Sequence, residues 1–192
     1  FQPSLLEETL IYLDKHSFDV VLLSIHWAND RPLHLRRIWN QTKATVMRDD
    51  YFKTLFKATE LCQKLAAHGH CPFDILSHLD YVKRYLLQYW KTPLGTIEYH
   101  VLDPILQALI AADVFPEINT SGMRREETEP YPSWPILKRY YELGGLYVSL
   151  GSDAHQSRDI GQGFDETAKQ LKIMGFVGEI VFEHGNRRVI NW

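Results

Sequence analysis

Leu146-Tyr147-Val148-Ser149-Leu150-Gly151-Ser152-Asp153-Ala154-His155 is an apolar run that ends in a small-residue turn carrying a carboxylate and an imidazole. With Gly144-Gly145 before it and Gly151-Ser152 after it, the run has the length and composition of a core strand in a parallel sheet. At strand spacing Asp153 and His155 leave the same face. Parallel α/β sheets collect their chemistry at the carboxyl ends of strands, which is where this pair falls. Taken alone, the turn reads equally as a strand end capped by Asp153, with His155 merely exposed.

The same pattern recurs along the chain. Residues 18–25 form an apolar, β-branched run closing on Ser24-Ile25-His26, and Phe73-Asp74-Ile75-Leu76-Ser77-His78 is a third short run ending in His, with Asp80 two residues further on. Between these lie helical patterns. One opens at Ser4, with Glu7 three residues later as a capping box, and another runs from Tyr51 to His68. A third covers 101–112, with Asp103-Pro104 in its first turn. Residues 136–143 and 164–174 are helical as well, and 114–119 and 177–182 read as further strands. Residues 27–50 show no period and read as a long connection, of the kind that closes over a substrate or is a surface insertion. The resulting α-β alternation predicts an α/β fold in one domain over 1–192. It is a parallel sheet wrapped by helices, as a barrel or an open doubly wound sheet.

Composition narrows the class without naming it. A 45% hydrophobic and 23% charged chain of 192 residues is ordinary for a globular domain. The net charge of -3 and the lack of a Lys/Arg run argue against a nucleic-acid surface. Cys62 and Cys71 form no CxxC and no disulfide framework, which predicts a reducing, cytoplasmic setting. No apolar run approaches the roughly 20 residues of a membrane span. The start at Phe1-Gln2-Pro3, without Met, reads as a fragment. Nothing in the sequence sets the oligomeric state.

Of nine histidines, His26, His78 and His155 end predicted strands, whereas the others lie in helices, helix ends or loops. Parallel strands put their carboxyl ends on one rim, so these three and Asp153 are expected to converge. Mixed imidazole and carboxylate donors suit Zn, Mn or Fe better than Mg or Ca. Competing chemistries lack their motifs: no G-x-S-x-G elbow, no P-loop and no G-x-G-x-x-G follows any strand.

Ser24-Ile25-His26, Ser77-His78-Leu79-Asp80, Glu117-Ile118-Asn119-Thr120-Ser121-Gly122 and Gly151-Ser152-Asp153-Ala154-His155, in this order and spacing, resemble the polymerase-and-histidinol-phosphatase (PHP) superfamily. Within it they are most similar to the histidinol-phosphate phosphatases. The resemblance implies a distorted (β/α)7 barrel with up to three divalent transition metals (Zn, Mn or Fe) at its carboxyl rim. It implies His26, His78, Asp153 and His155 as metal ligands, Asp153 and His155 as catalytic, and Asp80, Glu117 and Asn119 as supports behind the ligands. Arg84 and Arg124 fall where this group holds the substrate phosphate, and a planar guanidinium pair suits that task. Asp80 or the region of Asp153 is the expected source of the leaving-group proton. The implied reaction is hydrolysis of a small phosphomonoester, L-histidinol phosphate, in histidine biosynthesis. Alternatives are another PHP phosphoesterase, acting on a nucleotide, phosphotyrosine or oligonucleotide, and a metal-poor, non-catalytic scaffold. The pattern departs from the family in one respect. The family's opening H-x-H strand and bridging Glu have no counterpart here, so the barrel is expected to lack its first strands and these 192 residues alone to be inactive.

Overall fold

The computed structural model describes residues 1–192. Helix α1 (Leu6–Lys15) leads to strand β1 (Leu22–Leu23), the hairpin β2 (Trp27–Ala28) and β3 (Arg31–Pro32), the single turn α2 (Arg36–Trp39) and the long helix α3 (Ala44–Ala67). Next come β4 (Ile75–Leu76), α4 (Val82–Trp90), α5 (Tyr99–Ala112), β5 (Phe115–Asn119), α6 (Trp134–Glu142), β6 (Tyr147–Gly151), α7 (Phe164–Met174), β7 (Gly178–Glu183) and β8 (Asn186–Asn191). The main sheet has the order β1-β4-β5-β6-β7-β8. Every pair is parallel except the last. Strands adjacent in space are therefore successive parallel strands of the chain. That is the order of a barrel wall, whereas a doubly wound sheet reverses direction at a switch point. The carboxyl ends of the five parallel strands consequently share one rim.

The centre of the sheet is the most deeply buried part. All five residues of β5 are buried, including Glu117 and Asn119 at its polar end. Pro116 is accommodated because pairing to β6 begins only at Glu117, so the missing N–H falls outside that ladder. The helix α3 packs Met47, Tyr51, Phe52, Leu55, Ala58 and Cys62 into the core. At about 1.5–3 kcal/mol for each large apolar side chain fully buried, this stripe anchors the helix far more strongly than helix propensity does.

Several sequence expectations are corrected. Ser4 caps nothing: it lies inside a 3-10 turn (Pro3–Leu5) opened by Pro3, and the helix begins after Leu5 with no side-chain cap. Residues 27–50 are not an open loop. Trp39 is fully buried, its Nε1 donates to the Pro32 carbonyl (3.0 Å), and the Arg31 guanidinium lies 4.1 Å over its ring while pairing with Asp50. Aromatics and arginines without a period concealed this small packed unit, and α3 starts seven residues earlier than its apolar pattern implied. Helix α4 was hidden among tyrosines. Helix α5 starts at Tyr99, which places Pro104 inside the helix rather than in its first turn. Strands β1 and β4 are only two residues long, and β6 stops at Gly151, so Asp153 (φ 47°) and His155 occupy a turn rather than strand positions. The alternation ends in an antiparallel hairpin, β7 to β8, turned by His184 and Gly185, both at positive φ. No helix is long and apolar enough to cross a membrane.

Candidate active site

The carboxyl rim opens into a cavity of about 1370 Å³ whose wall includes His26, His78, Arg84, Glu117, Asn119, Arg124, Asp153 and His155. Each is delivered by the segment that follows, or ends, one strand. His26 follows β1, His78 follows β4, Glu117 and Asn119 end β5, and Asp153 and His155 follow β6.

His26 and His78 are the tightest pair, with Nε2 to Nε2 at 3.3 Å and ring centroids 5.1 Å apart. Burial lowers both pKa values, that of His78 to about 3, with the neighbouring His26 as the second cause. Both rings are therefore neutral at pH 7, the form in which an imidazole binds a metal ion. His78 adopts φ 33°, and its buried Nδ1 has no hydrogen-bond partner. Its backbone N–H donates to Glu117 Oε2 (3.0 Å), which also accepts from Asn119 Nδ2 (3.3 Å). Burial raises the Glu117 pKa, and the carboxylate of Asp153 pushes the same way. Glu117 leans directly over Gly151: a Cβ built there would sit 2.0 Å from Glu117 Oε1. Asn119 Oδ1 in turn accepts from the Ser121 N–H (3.1 Å) and hydroxyl (2.6 Å), which shapes the turn leading to Arg124.

The donor set agrees with a transition-metal ion in kind, with two neutral, touching imidazoles and carboxylates nearby. It is short in number, because no three His, Cys, Asp or Glu side chains are grouped closely enough to hold an ion. His155 is turned outward, its side chain 80% exposed, with Nδ1 bonded to the Asp153 carbonyl (2.9 Å). Two of the four expected ligands thus meet, and Asp153 and His155 line the same cavity.

The same cavity is rich in arginine. Arg84, Arg124, Arg125 and Arg158 line the cavity against Glu117, Asp153 and Asp159. In a chain of net charge -3, this local excess marks an anion-binding basin. Arg124 donates through Nη2 to the Ser152 carbonyl (2.7 Å), while its buried Nη1 has no partner. Arg84 donates through Nη1 to Tyr81 Oη (2.6 Å).

Asp80 does not face the cavity. It is fully buried, its Oδ2 accepts from the Ser133 N–H (2.9 Å), and Lys83 Nζ lies 3.3 Å away. Lys83 also donates to the Pro130 carbonyl (2.6 Å) and to Glu129 (3.2 Å). Asp80 therefore fastens the segment before α6 to α4 and is excluded as a proton donor to substrate. Sequence reasoning missed Tyr81, Arg125 and Arg158. The three-residue steps from His78 to Tyr81 to Arg84, which put all three on one side of a helical turn, were the available signal.

The chain is a mostly parallel α/β sheet in sequential order with paired imidazoles and a cluster of arginines on its carboxyl rim. No protein-family model matches the chain. It is 34% identical over 160 residues to a "Probable histidinol-phosphatase" of Clostridium acetobutylicum and 33% identical over 159 residues to one of Thermotoga maritima. Those alignments cover 83% of this chain and 59% and 58% of the relatives. The crystal structure of histidinol phosphate phosphatase from Lactococcus lactis, complexed with zinc, L-histidinol and phosphate, superposes with a TM-score of 0.73 at 22% identity, over 98% of this chain and 68% of that one. The chain is thus similar to proteins named as histidinol-phosphatases and shares the fold of one, and it spans about three fifths of the length of the curated relatives it matches.

Proposed function

We propose that the protein hydrolyses L-histidinol phosphate to L-histidinol and inorganic phosphate, as part of histidine biosynthesis, on a distorted (β/α)7-type barrel rim. The observation that carries this reading is that the His26–His78 pair and the guanidinium groups of Arg84 and Arg124 line one cavity. The names of the relatives, and the zinc, L-histidinol and phosphate bound by the Lactococcus lactis neighbour, point the same way.

One or more divalent transition-metal ions, zinc first among them, would be held by His26 and His78 with Asp153 and His155 drawn in; when bound they neutralise phosphoryl charge and activate water. Arg124 offers its unpartnered Nη1 and Arg84 its remaining N–H groups to the phosphoryl oxygens, which gives the planar, charge-assisted recognition that a phosphate requires. Glu117 and Asn119 hold the backbone of His78 and the turn before Arg124 in place. The Nδ1 contact of His155 with the Asp153 carbonyl fixes the tautomer whose Nε2 lone pair is free, for an ion or for a proton on its way to the leaving alkoxide.

The test uses the protein as its gene encodes it, loaded with zinc, manganese or iron and assayed for phosphate release. L-histidinol phosphate is expected to be the preferred substrate over nucleoside monophosphates and phosphotyrosine. His78→Ala and Asp153→Ala are expected to lower kcat/KM by at least about 100-fold. A stronger preference for another phosphoester, or full activity of either variant, refutes the assignment.

A further inference from the structure

We infer that Tyr81 is a positioning residue that locks the imidazole of His78 and the guanidinium of Arg84 into one unit, so that the metal side and the phosphate side of the site share a single phenol. This rests on the function proposed above.

The geometry is specific on every side of the ring. One face of Tyr81 stacks on His78, with centroids 4.2 Å apart and planes 24° from parallel. The hydroxyl accepts from Arg84 Nη1 at 2.6 Å. His26 meets the same ring edge-on at 5.6 Å, while Tyr85 and Tyr131 close the remaining sides as T-shaped neighbours at 5.5 and 5.7 Å. Backbone bonds repeat the tie: the Tyr81 N–H donates to the His78 carbonyl (2.8 Å), and the Arg84 N–H to the Tyr81 carbonyl (3.2 Å). The phenol lines the cavity only in part, one face and its hydroxyl being taken up by His78 and Arg84, and it acts through these neighbours. His78 and Arg84 each carry two or more rotatable bonds; beyond Tyr81 the His78 ring has only its Nε2 contact with His26 (3.3 Å), and the Arg84 guanidinium has no other hydrogen bond. The stack holds the imidazole, and the hydroxyl holds the guanidinium. The two duties sit on different parts of one side chain and are separable by substitution.

Tyr81→Phe keeps the ring and removes the hydroxyl, whereas Tyr81→Leu removes both. Zinc affinity is read by competition with a chromophoric chelator, and anion affinity by titration with inorganic phosphate. Tyr81→Phe is expected to bind zinc within about twofold of the parent and inorganic phosphate roughly tenfold more weakly, with KM raised and kcat nearly unchanged. In an Arg84→Ala background the same change should cost less than about twofold in phosphate affinity, because the hydroxyl no longer has a guanidinium to hold. Tyr81→Leu is expected to weaken zinc by about tenfold or more. An equal phosphate loss for Tyr81→Phe in both backgrounds, or unaltered zinc affinity in Tyr81→Leu, overturns the inference. NMR of the protein free of zinc and phosphate separates this from the functional reading. Tyr81→Phe should bring the Arg84 side-chain N–H into fast exchange without moving the His78 ring resonances, and Tyr81→Leu should move both. Those changes in a protein that does not hydrolyse histidinol phosphate refute the function and leave the positioning role standing. Their absence in an active enzyme does the reverse.

Discussion

Gly151→Ala is the sharpest probe of how the rim is packed. A methyl group there would lie 2.0 Å from Glu117 Oε1, 2.8 Å from its Cδ and 3.0 Å from its Cγ, where ordinary contact begins near 3.4 Å. The carboxylate must retreat by more than an ångström. In doing so it gives up the bonds it accepts from the His78 N–H and Asn119 Nδ2. Bonds to a buried ionisable acceptor are worth about 1.5–3 kcal/mol each, and water from the open cavity restores part of the loss, so a net cost of about 2–4 kcal/mol is expected. At about 2–4 °C per kcal/mol for a chain of this size, the melting temperature should fall by roughly 5–15 °C, measured by calorimetry or by circular dichroism. The control is the same substitution made in a Glu117→Ala background. With no carboxylate to displace, the alanine should then cost less than about 0.5 kcal/mol, or even stabilise by restricting the unfolded chain. If Gly151→Ala melts with the parent, or loses as much in the Glu117→Ala background, the close approach is not what demands glycine here.

Three further outcomes are expected. Lys83→Met strips the buried Asp80 of its cation and should cost about 3–5 kcal/mol in urea unfolding at pH 7.5. Burial already raises the Asp80 pKa above its unfolded value. A carboxyl of that kind destabilises the fold above its folded pKa and relaxes as pH falls toward the unfolded one, so the Lys83→Met deficit should shrink when unfolding is repeated near pH 4.5. Tyr51→Phe deprives the Leu79 carbonyl of the hydroxyl that bonds it at 3.0 Å inside the core, and about 1–2 kcal/mol of stability should be lost. His155→Ala, at an 80% exposed side chain, should leave the melting temperature within about 2 °C while reducing zinc affinity, which separates a ligand role from a structural one.

Some of these features could be read from residues alone and others could not, for identifiable reasons. Three apolar runs that each stop at an imidazole place the strand ends, because burial on both faces writes a continuous apolar signal whatever the strand's final length. The strands β1 and β4 are shorter than their apolar runs imply, because ladder pairing to their neighbours covers only two residues of each. The unit around Trp39 escaped notice because its burial is achieved by one indole, one guanidinium and a hairpin, none of which has a period. Ligand identity was easier to anticipate than ligand orientation. His26 and His78 come into contact as their strand-end positions imply, whereas the positive φ of Asp153 turns His155 away, and φ at a non-glycine residue leaves no trace in composition. Asp80 shows the converse: its place in an S-H-x-D string suggested chemistry, and a lysine three residues on claimed it for the core.

The sequential strand order also bears on how the chain acquires its structure. Because no strand is inserted between two that precede it, each β-α unit can dock on the edge exposed by the one before, and loop closure never spans more than about one unit at a time. A ribosome-bound chain can therefore add β4, β5, β6 and β7 in turn, each to the edge left by the strand before it, as they emerge. The hairpin from β7 to β8 ends that growth. Its last strand presents Arg187 and Arg188 along a fully exposed edge, which discourages pairing with a neighbouring chain on the same polysome.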